Sequence, residues 1–125
     1  MTSQVFLENM KEFFNSFCIK TTETKGAEYS GDDDKFANFK RIAKEMDSPL
    51  GLVWYVYFKK HLDSLNSFLK RWNKGERITD IEKELSEPIS GRIGDMIVYL
   101  FLIKGMIDEE RKIEEQAEIE EQIYG

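Results

Sequence analysis

The chain has 125 residues, of which 41% are hydrophobic and 34% charged, and this length suits one compact core but not two. Its net charge of -6 argues against binding along bulk nucleic acid, which requires clustered Lys and Arg side chains. The longest uninterrupted apolar run, Met96 to Ile103, is too short to cross a bilayer, and no basic stretch leads into an apolar one at the N-terminus. We therefore expect one soluble domain over residues 1–125, with no membrane segment.

Cys18 is the only cysteine of the chain. An internal disulfide and a multi-cysteine metal site are therefore excluded. This favours a reducing compartment, and we expect a cytoplasmic protein.

The first predicted element is a helix from Val5 to Ile19, because its apolar residues recur at steps of three and four. Ser3 is its predicted N-cap. From Thr21 to Asp34 this period is lost among Thr, Gly, Ser and Asp residues, so we predict a loop there. The last aspartates can cap a short second helix from Lys35 to about Glu45.

A third helix is predicted from Pro49 to about Trp72, since Ser48 and Pro49 form a typical helix start. Its core-facing stripe is expected to comprise Trp54, Phe58, Leu62, Leu65, Leu69 and Trp72. Asn73 to Gly75 ends that helix. The Thr79 to Glu82 spacing predicts a capping box and one short helical turn.

The fourth predicted helix begins near Pro88 and meets no strong breaker, so it can continue past Ile103. Residues 108–125 are charged and rich in glutamate, which predicts a solvated helical extension or a frayed tail. A weak coiled coil or homodimer arm is the alternative. The fold class is all-α, with a four-helix bundle core over about residues 4–107 and a long C-terminal helix.

Asp95 is the most informative residue, because it stands at the head of a helix that is apolar on every face after it. We expect its carboxylate to be at least partly buried, and an unpaired buried carboxylate is costly. It therefore needs a cation, a metal ion or strong hydrogen-bond donors. An ion pair with Arg92 or Lys60 is the structural alternative to a metal site.

The third helix carries a polar stripe that includes Lys60, Asp63 and Ser64. His61 lies one position round from it and is a candidate base or ligand, although a lone histidine near an apolar face is more often a packed core residue. Tyr99, four residues after Asp95, is the aromatic residue best placed to stack on a nucleobase; aromatic residues at helical spacing are otherwise core residues.

The predicted loop holds Glu28, Tyr29 and three consecutive aspartates at positions 32–34, and Asn38 follows within the second helix. Consecutive aspartates usually form a solvated loop and cap. The alternative is that one or two of them turn inward with Glu28 as oxygen ligands for Mg²⁺, which favours carboxylates together with substrate phosphates.

Four blocks of sequence, taken together and in order, resemble a known family. They are residues 25–31 (KGAEYSG), 34–40 (DKFANFK), 60–65 (KHLDSL) and 87–100, which contains EPI, RIGD and YL. They look like the small phage and prophage proteins of the nucleotide-modification-associated domain 1 type. Those proteins are themselves similar to the all-α MazG-like nucleoside triphosphate pyrophosphohydrolases.

This resemblance implies a Mg²⁺-dependent protein that binds a nucleotide in a bacterial cytoplasm and cleaves a nucleoside triphosphate to a monophosphate and pyrophosphate. It implies that water attacks a phosphoryl group with the help of the metal. The expected metal ligands are Glu28, Asp63 and Asp95, the expected catalytic residues Lys60, His61 and Asp63, and the expected nucleotide-binding residues Tyr29, Asn38 and Tyr99.

Two departures from the MazG-like pattern bear on this expectation. Arg92 stands where that family usually has a glutamate, and Lys60 and Asp63 stand where it has an E-x-x-E pair. Loss of two carboxylates affects hydrolysis more than nucleotide binding. The alternative functions are a non-catalytic module that sequesters a nucleotide or blocks a host protein, and a purely structural helical adaptor.

Overall fold

The computed structural model describes the backbone of residues 1–29 and 34–125, and the side chains of residues 1–24 and 34–125. Its elements are α1 (Ser3–Phe13), a π-helical segment (Phe14–Ile19), α2 (Lys20–Tyr29), α3 (Ala37–Glu45), α4 (Leu50–Asn73), α5 (Ile78–Glu82) and α6 (Ile89–Tyr124). Within the described ranges there is no strand. The all-α fold class is therefore confirmed.

The first helix is longer than the sequence predicted. The loop expected from residue 21 onward is wrong as far as Tyr29, because α2 continues the π-helical segment without a break. The hydroxyl of Thr22 donates a hydrogen bond to the Cys18 carbonyl (2.8 Å), so this polar side chain is satisfied within the helix and does not compete with it. The N-cap is Thr2 and not Ser3, since Thr2 Oγ1 accepts a hydrogen bond from the Val5 amide (3.1 Å).

The start of α4 also differs from the prediction, whereas its end agrees. Pro49 occupies the N-cap position without a side-chain cap, and Ser48 Oγ donates instead to the Met46 carbonyl (3.2 Å). At the C-terminal end, Gly75 has a φ of 95°, a left-handed conformation that glycine adopts without strain. The predicted stop at Asn73 to Gly75 is therefore confirmed.

The short helix α5 matches the single turn predicted from the sequence, but the capping box is wrong. Its N-cap is Arg77, which makes no side-chain cap hydrogen bond. What holds α5 in place is burial, because Ile81 is only 1% exposed and packs with Phe68 of α4 and Ile89 of α6. This cluster fixes one end of the α4 and α6 pair.

α4 and α6 form the main helix pair of the fold. The predicted core stripe of α4 is confirmed at Trp54, which is buried, and its indole Nε1 donates a hydrogen bond to the Tyr99 carbonyl (2.7 Å). Trp72, predicted to face the core, is half exposed. It lies in the last turn of α4, where the core position is taken by Phe68.

α6 is one continuous helix of 36 residues, so the predicted C-terminal helical extension is confirmed. Every side chain from Glu110 to Gly125 is exposed, as expected for a solvated extension. None of the described helices has a stretch long and apolar enough to span a bilayer.

Gly94 lets the first helix approach α6 closely. The rings of Phe13 and Phe17 stack on each other at 5.2 Å and lie against this glycine. A Cβ atom at position 94 would overlap the Phe17 ring, so the space is available only to glycine. Nearby, the Cys18 thiol donates to the Gly94 carbonyl (3.8 Å).

Two matched glycine substitutions test this packing. Gly94→Ala should lower the free energy of unfolding by about 1–3 kcal/mol, because the new methyl group overpacks the contact with Phe17. Gly51→Ala in α4 meets no atom within 4 Å and should raise it by about 0.5–1 kcal/mol through helix propensity. Urea denaturation measures both values, and equal effects at the two sites would contradict the close approach.

Candidate functional site

A cavity of about 500 Å³ lies between α2, α3, α4 and α6. The residues that line it include four that the sequence analysis singled out: Asn38, His61, Asp95 and Tyr99. They come from three helices that are distant in sequence. The fold therefore brings together one carboxylate, one amide, one imidazole and one phenol.

Aromatic rings frame the cavity. Phe39 of α3 packs edge-on against Tyr57 of α4 (5.9 Å between ring centres) and against Tyr99 of α6 (6.3 Å). His61 lies one turn after Tyr57, and its ring is 5.0 Å from that of Tyr99. Such perpendicular contacts are favourable for aromatic rings, so the walls hold one another in a fixed geometry.

Asp95 is half-buried, as predicted, and lines the cavity. The predicted alternative of a plain ion pair is not found, because Arg92 lies 4.0 Å from Glu87 and the Lys60 ammonium lies 5.8 Å from the centre of the Tyr57 ring. Among the residues whose side chains are described, no cation lies within ion-pair distance of Asp95. A half-buried carboxylate that faces a cavity is suited to bind a cationic group, a metal ion or an N–H donor of a ligand.

The negative charge of Asp95 affects its neighbours. The pKa of the Tyr99 phenol is raised above its ordinary value, first by burial and then by the charges of Tyr57 and Asp95. The pKa of the Cys18 thiol is raised by burial and, to a smaller extent, by Asp95. Both groups therefore remain neutral near pH 7, so Tyr99 adds no second negative charge to the cavity and Cys18 adds none near Asp95.

Two cations lie among the lining residues on the α3 side. Lys35 Nζ donates a hydrogen bond to the Thr22 carbonyl (3.3 Å), and Arg41 pairs with Glu45 (3.3 Å). Asp95 lies on α6, on the other side of the cavity. The cavity therefore has a positive wall at Lys35 and Arg41 and a negative wall at Asp95. A ligand with an anionic group at one end and hydrogen-bond donors at the other would be complementary to these two walls.

Lys40 ties α3 to α6 beside the cavity. Its ammonium is 2.8 Å from Asp34 and 2.7 Å from Glu109, and these hydrogen bonds raise the lysine pKa. Asp34 also accepts a hydrogen bond from the Phe36 amide (2.9 Å), and its pKa is lowered, chiefly by Lys40. Asp34 therefore forms a local turn before α3, whose N-cap is Phe36 without a side-chain cap hydrogen bond, so the predicted capping by this aspartate is wrong. Asp34 is not among the lining residues of the cavity.

The other predicted site residues are placed as follows. Asp63 is exposed and pairs with Lys59 (2.8 Å), and neither Asp63 nor Lys60 is among the lining residues of the cavity. The side chains of Glu28 and Tyr29 lie outside the described residues. Among the side chains that are described, no three His, Cys, Asp or Glu residues are grouped closely enough to hold a metal ion.

The remaining lining residues were not predicted as site residues; they are Thr21, Thr22, Lys35, Phe39, Arg41, Ile42, Tyr57, Val98 and Leu102. Thr21 and Thr22 had been placed in a loop, and Phe39 and Tyr57 had been treated as ordinary core aromatics. A general signal for the two aromatics was present, since both lie in predicted helices, where aromatic residues at helical spacing are expected to face inward. No signal in the sequence showed that the first helix would reach the cavity.

Comparison with known proteins adds nothing to this geometry, because no protein family, curated protein or solved structure matches the chain. The site is therefore defined by its residues alone. It is a mostly apolar cavity in an all-α fold, with an aromatic frame, one carboxylate and two cations.

The electrostatic coupling between Asp95 and Tyr99 can be measured. In the wild-type protein, the Tyr99 phenol should ionise above its ordinary pKa of about 10. Asp95→Asn should lower that pKa but leave it above 10, because burial is the larger cause. Asp108→Asn, which removes a carboxylate paired with Lys104 outside the cavity, should leave it unchanged.

NMR titration of protein labelled at the tyrosine ring carbons provides the readout. A Tyr99 phenol that ionises at or below pH 10 in the wild type would contradict its burial at the cavity.

Proposed function

We propose that the cavity binds a nucleotide together with Mg²⁺. The observation that carries this proposal is the position of Asp95: a half-buried carboxylate without a described cationic partner, in a cavity framed by Phe39, Tyr57 and Tyr99. A base can stack on aromatic rings, and phosphates require cations. The cavity offers both.

Different described residues would contact different parts of the nucleotide. Tyr57, Tyr99 and Phe39 provide flat surfaces for a base, and the Asn38 amide can donate to or accept from its polar edge. Lys35 and Arg41 are the cations nearest to bound phosphates on the α3 side. His61 stands against Tyr99 as a further donor or acceptor.

Mg²⁺ fits this donor set only as part of a complex with the ligand. The described side chains contribute one carboxylate to the cavity, and Mg²⁺ is commonly held by one or two carboxylates plus substrate phosphates and water. Asp95 would hold the ion, and the phosphates would complete its coordination. When bound, the ion would polarise a phosphoryl group.

We also propose that the fold is a MazG-like bundle and that the chain forms a homodimer. We propose further that it is a phage-type protein of a bacterial cytoplasm. Hydrolysis to a monophosphate and pyrophosphate is the more demanding form of the proposed function; of the expected catalytic residues His61 lines the cavity, whereas Lys60 and Asp63 lie outside its lining. The ion pair between Asp63 and Lys59 favours the second candidate, a module that binds a nucleotide without cleaving it.

Thermal denaturation with a panel of ribo- and deoxyribonucleoside triphosphates tests binding. At 100 times its Kd, a ligand adds about 2.7 kcal/mol, which corresponds to a rise in Tm of roughly 10 °C for a chain of this size. Asp95→Asn should abolish the part of this rise that needs Mg²⁺, and Tyr57→Ala should reduce the whole rise. Asp80→Asn, which removes an exposed carboxylate of α5, is the matched control and should behave as the wild type.

Absence of any rise in Tm at millimolar nucleotide would refute the proposal. It would also be refuted if Asp80→Asn lost as much of the rise in Tm as Asp95→Asn does.

Release of pyrophosphate separates the two candidates. A hydrolase should release pyrophosphate from at least one nucleotide that raises the Tm, and Asp95→Asn should reduce release to the background rate. A stable complex from which no pyrophosphate is released identifies the non-catalytic module.

A further inference from the structure

The chain exposes far more surface than a compact monomer of its size. Its accessible surface is 9562 Å², whereas a folded monomer of 14.7 kDa has about 6,900 Å². The exposed extension of residues 110–125 contributes part of this surplus of about 2,600 Å². The surplus exceeds the 1,000 Å² or more that one chain contributes to an obligate dimer. Among the described residues, only seven hydrophobic side chains are buried.

Part of the surplus surface is an apolar stripe on α6, formed by Ile93, Leu100 and Ile107. These residues recur every seven positions, so they share one side of the helix, and all three are exposed. With 3.6 residues per turn, Asp95 lies about 140° and Tyr99 about 100° round the helix from Leu100, on the side that lines the cavity. The stripe therefore faces away from the proposed nucleotide site.

We propose that the apolar stripe is the interface of a homodimer, in which α6 packs against α6 of a second copy. A seven-residue apolar repeat packs well against its own copy, and the surplus surface is large enough for such an interface. A second copy is favoured over a different partner because a two-fold axis makes the stripe its own complement. This proposal deepens the homodimer part of the proposed function but does not depend on nucleotide binding.

Charge fixes the direction of this packing. Residues 109–122 contain seven glutamates and two cations, so a parallel pair would place two acidic extensions side by side. An antiparallel pair separates the two acidic extensions, because they then project from opposite ends of the dimer. The two-fold axis passes near Leu100, the midpoint of the stripe, and Ile93 of one copy lies opposite Ile107 of the other.

Light scattering coupled to size exclusion tests the dimer with the full chain. The wild type should have twice the chain mass of 14.7 kDa. Leu100→Asp should give a monomer with unchanged helical circular dichroism, because it places a charge within the apolar contact. Ile119→Asp is the matched control: Leu100 and Ile119 are both 49% exposed on α6, but Ile119 belongs to the solvated extension, so this variant should remain a dimer.

A monomeric wild type would overturn the proposal. A dimer that Ile119→Asp dissociates and Leu100→Asp does not would also overturn it, since the extension would then be the interface.

Disulfide cross-linking tests whether the two α6 helices pack antiparallel, and it does not rely on destabilised variants. Cys18 is buried, so the wild type should give no cross-link and the background is low. Leu100→Cys should link two copies in high yield. Ile93→Cys and Ile107→Cys should each fail alone, because α6 rises about 1.5 Å per residue and their own copies lie roughly 20 Å apart.

The double variant with both substitutions should link efficiently. Efficient linking of Ile93→Cys alone would overturn the antiparallel arrangement. Loss of nucleotide binding with an intact dimer would refute the proposed function and leave this inference standing.

Discussion

The hydrogen bond from Trp54 to the Tyr99 carbonyl sets the register between α4 and α6, and much of the rest depends on it. The indole is buried, so its N–H requires a partner, and the 2.7 Å contact supplies one. With Trp54 fixed against Tyr99, His61 two turns further along α4 comes to lie against the Tyr99 ring. The cavity is a consequence of this register, because α3 then closes it with Phe39.

The long helices could be predicted because their signals are local. Apolar spacing and the stop at Gly75 located α4, and the lack of a breaker after Pro88 predicted the continuous α6. The cap prediction failed at Ser48, whose hydroxyl donates to the Met46 carbonyl, and at Thr79, where burial of Ile81 against Phe68 and Ile89 holds α5 instead. A cap contributes about 1 kcal/mol, which tertiary packing readily outweighs.

The site could be predicted in part for the same reason. Asp95, Tyr99 and His61 were identified from their positions in predicted helices and Asn38 from the family resemblance, and the structure places all four at one cavity. Asp63 looked equivalent in sequence, but its neighbour Lys59 lies one turn earlier on an exposed face and takes up its charge. Which carboxylate faces a cavity depends on how the helices pack, and no spacing within one helix encodes that.

The π-helical segment between α1 and α2 has a consequence for how this chain tolerates change in length. A π-turn contains one more residue than an α-turn. The segment of residues 14–19 therefore turns α2 by about 100° about the helix axis, relative to a regular α-helix through the same residues. Thr21 and Thr22 reach the cavity only with that rotation. Loss of a single residue from this segment would remove the extra residue together with its rotation, so a regular helix would then keep both Phe13 and the two threonines in place. Loss of a second residue would turn both threonines by about 100°, away from the cavity.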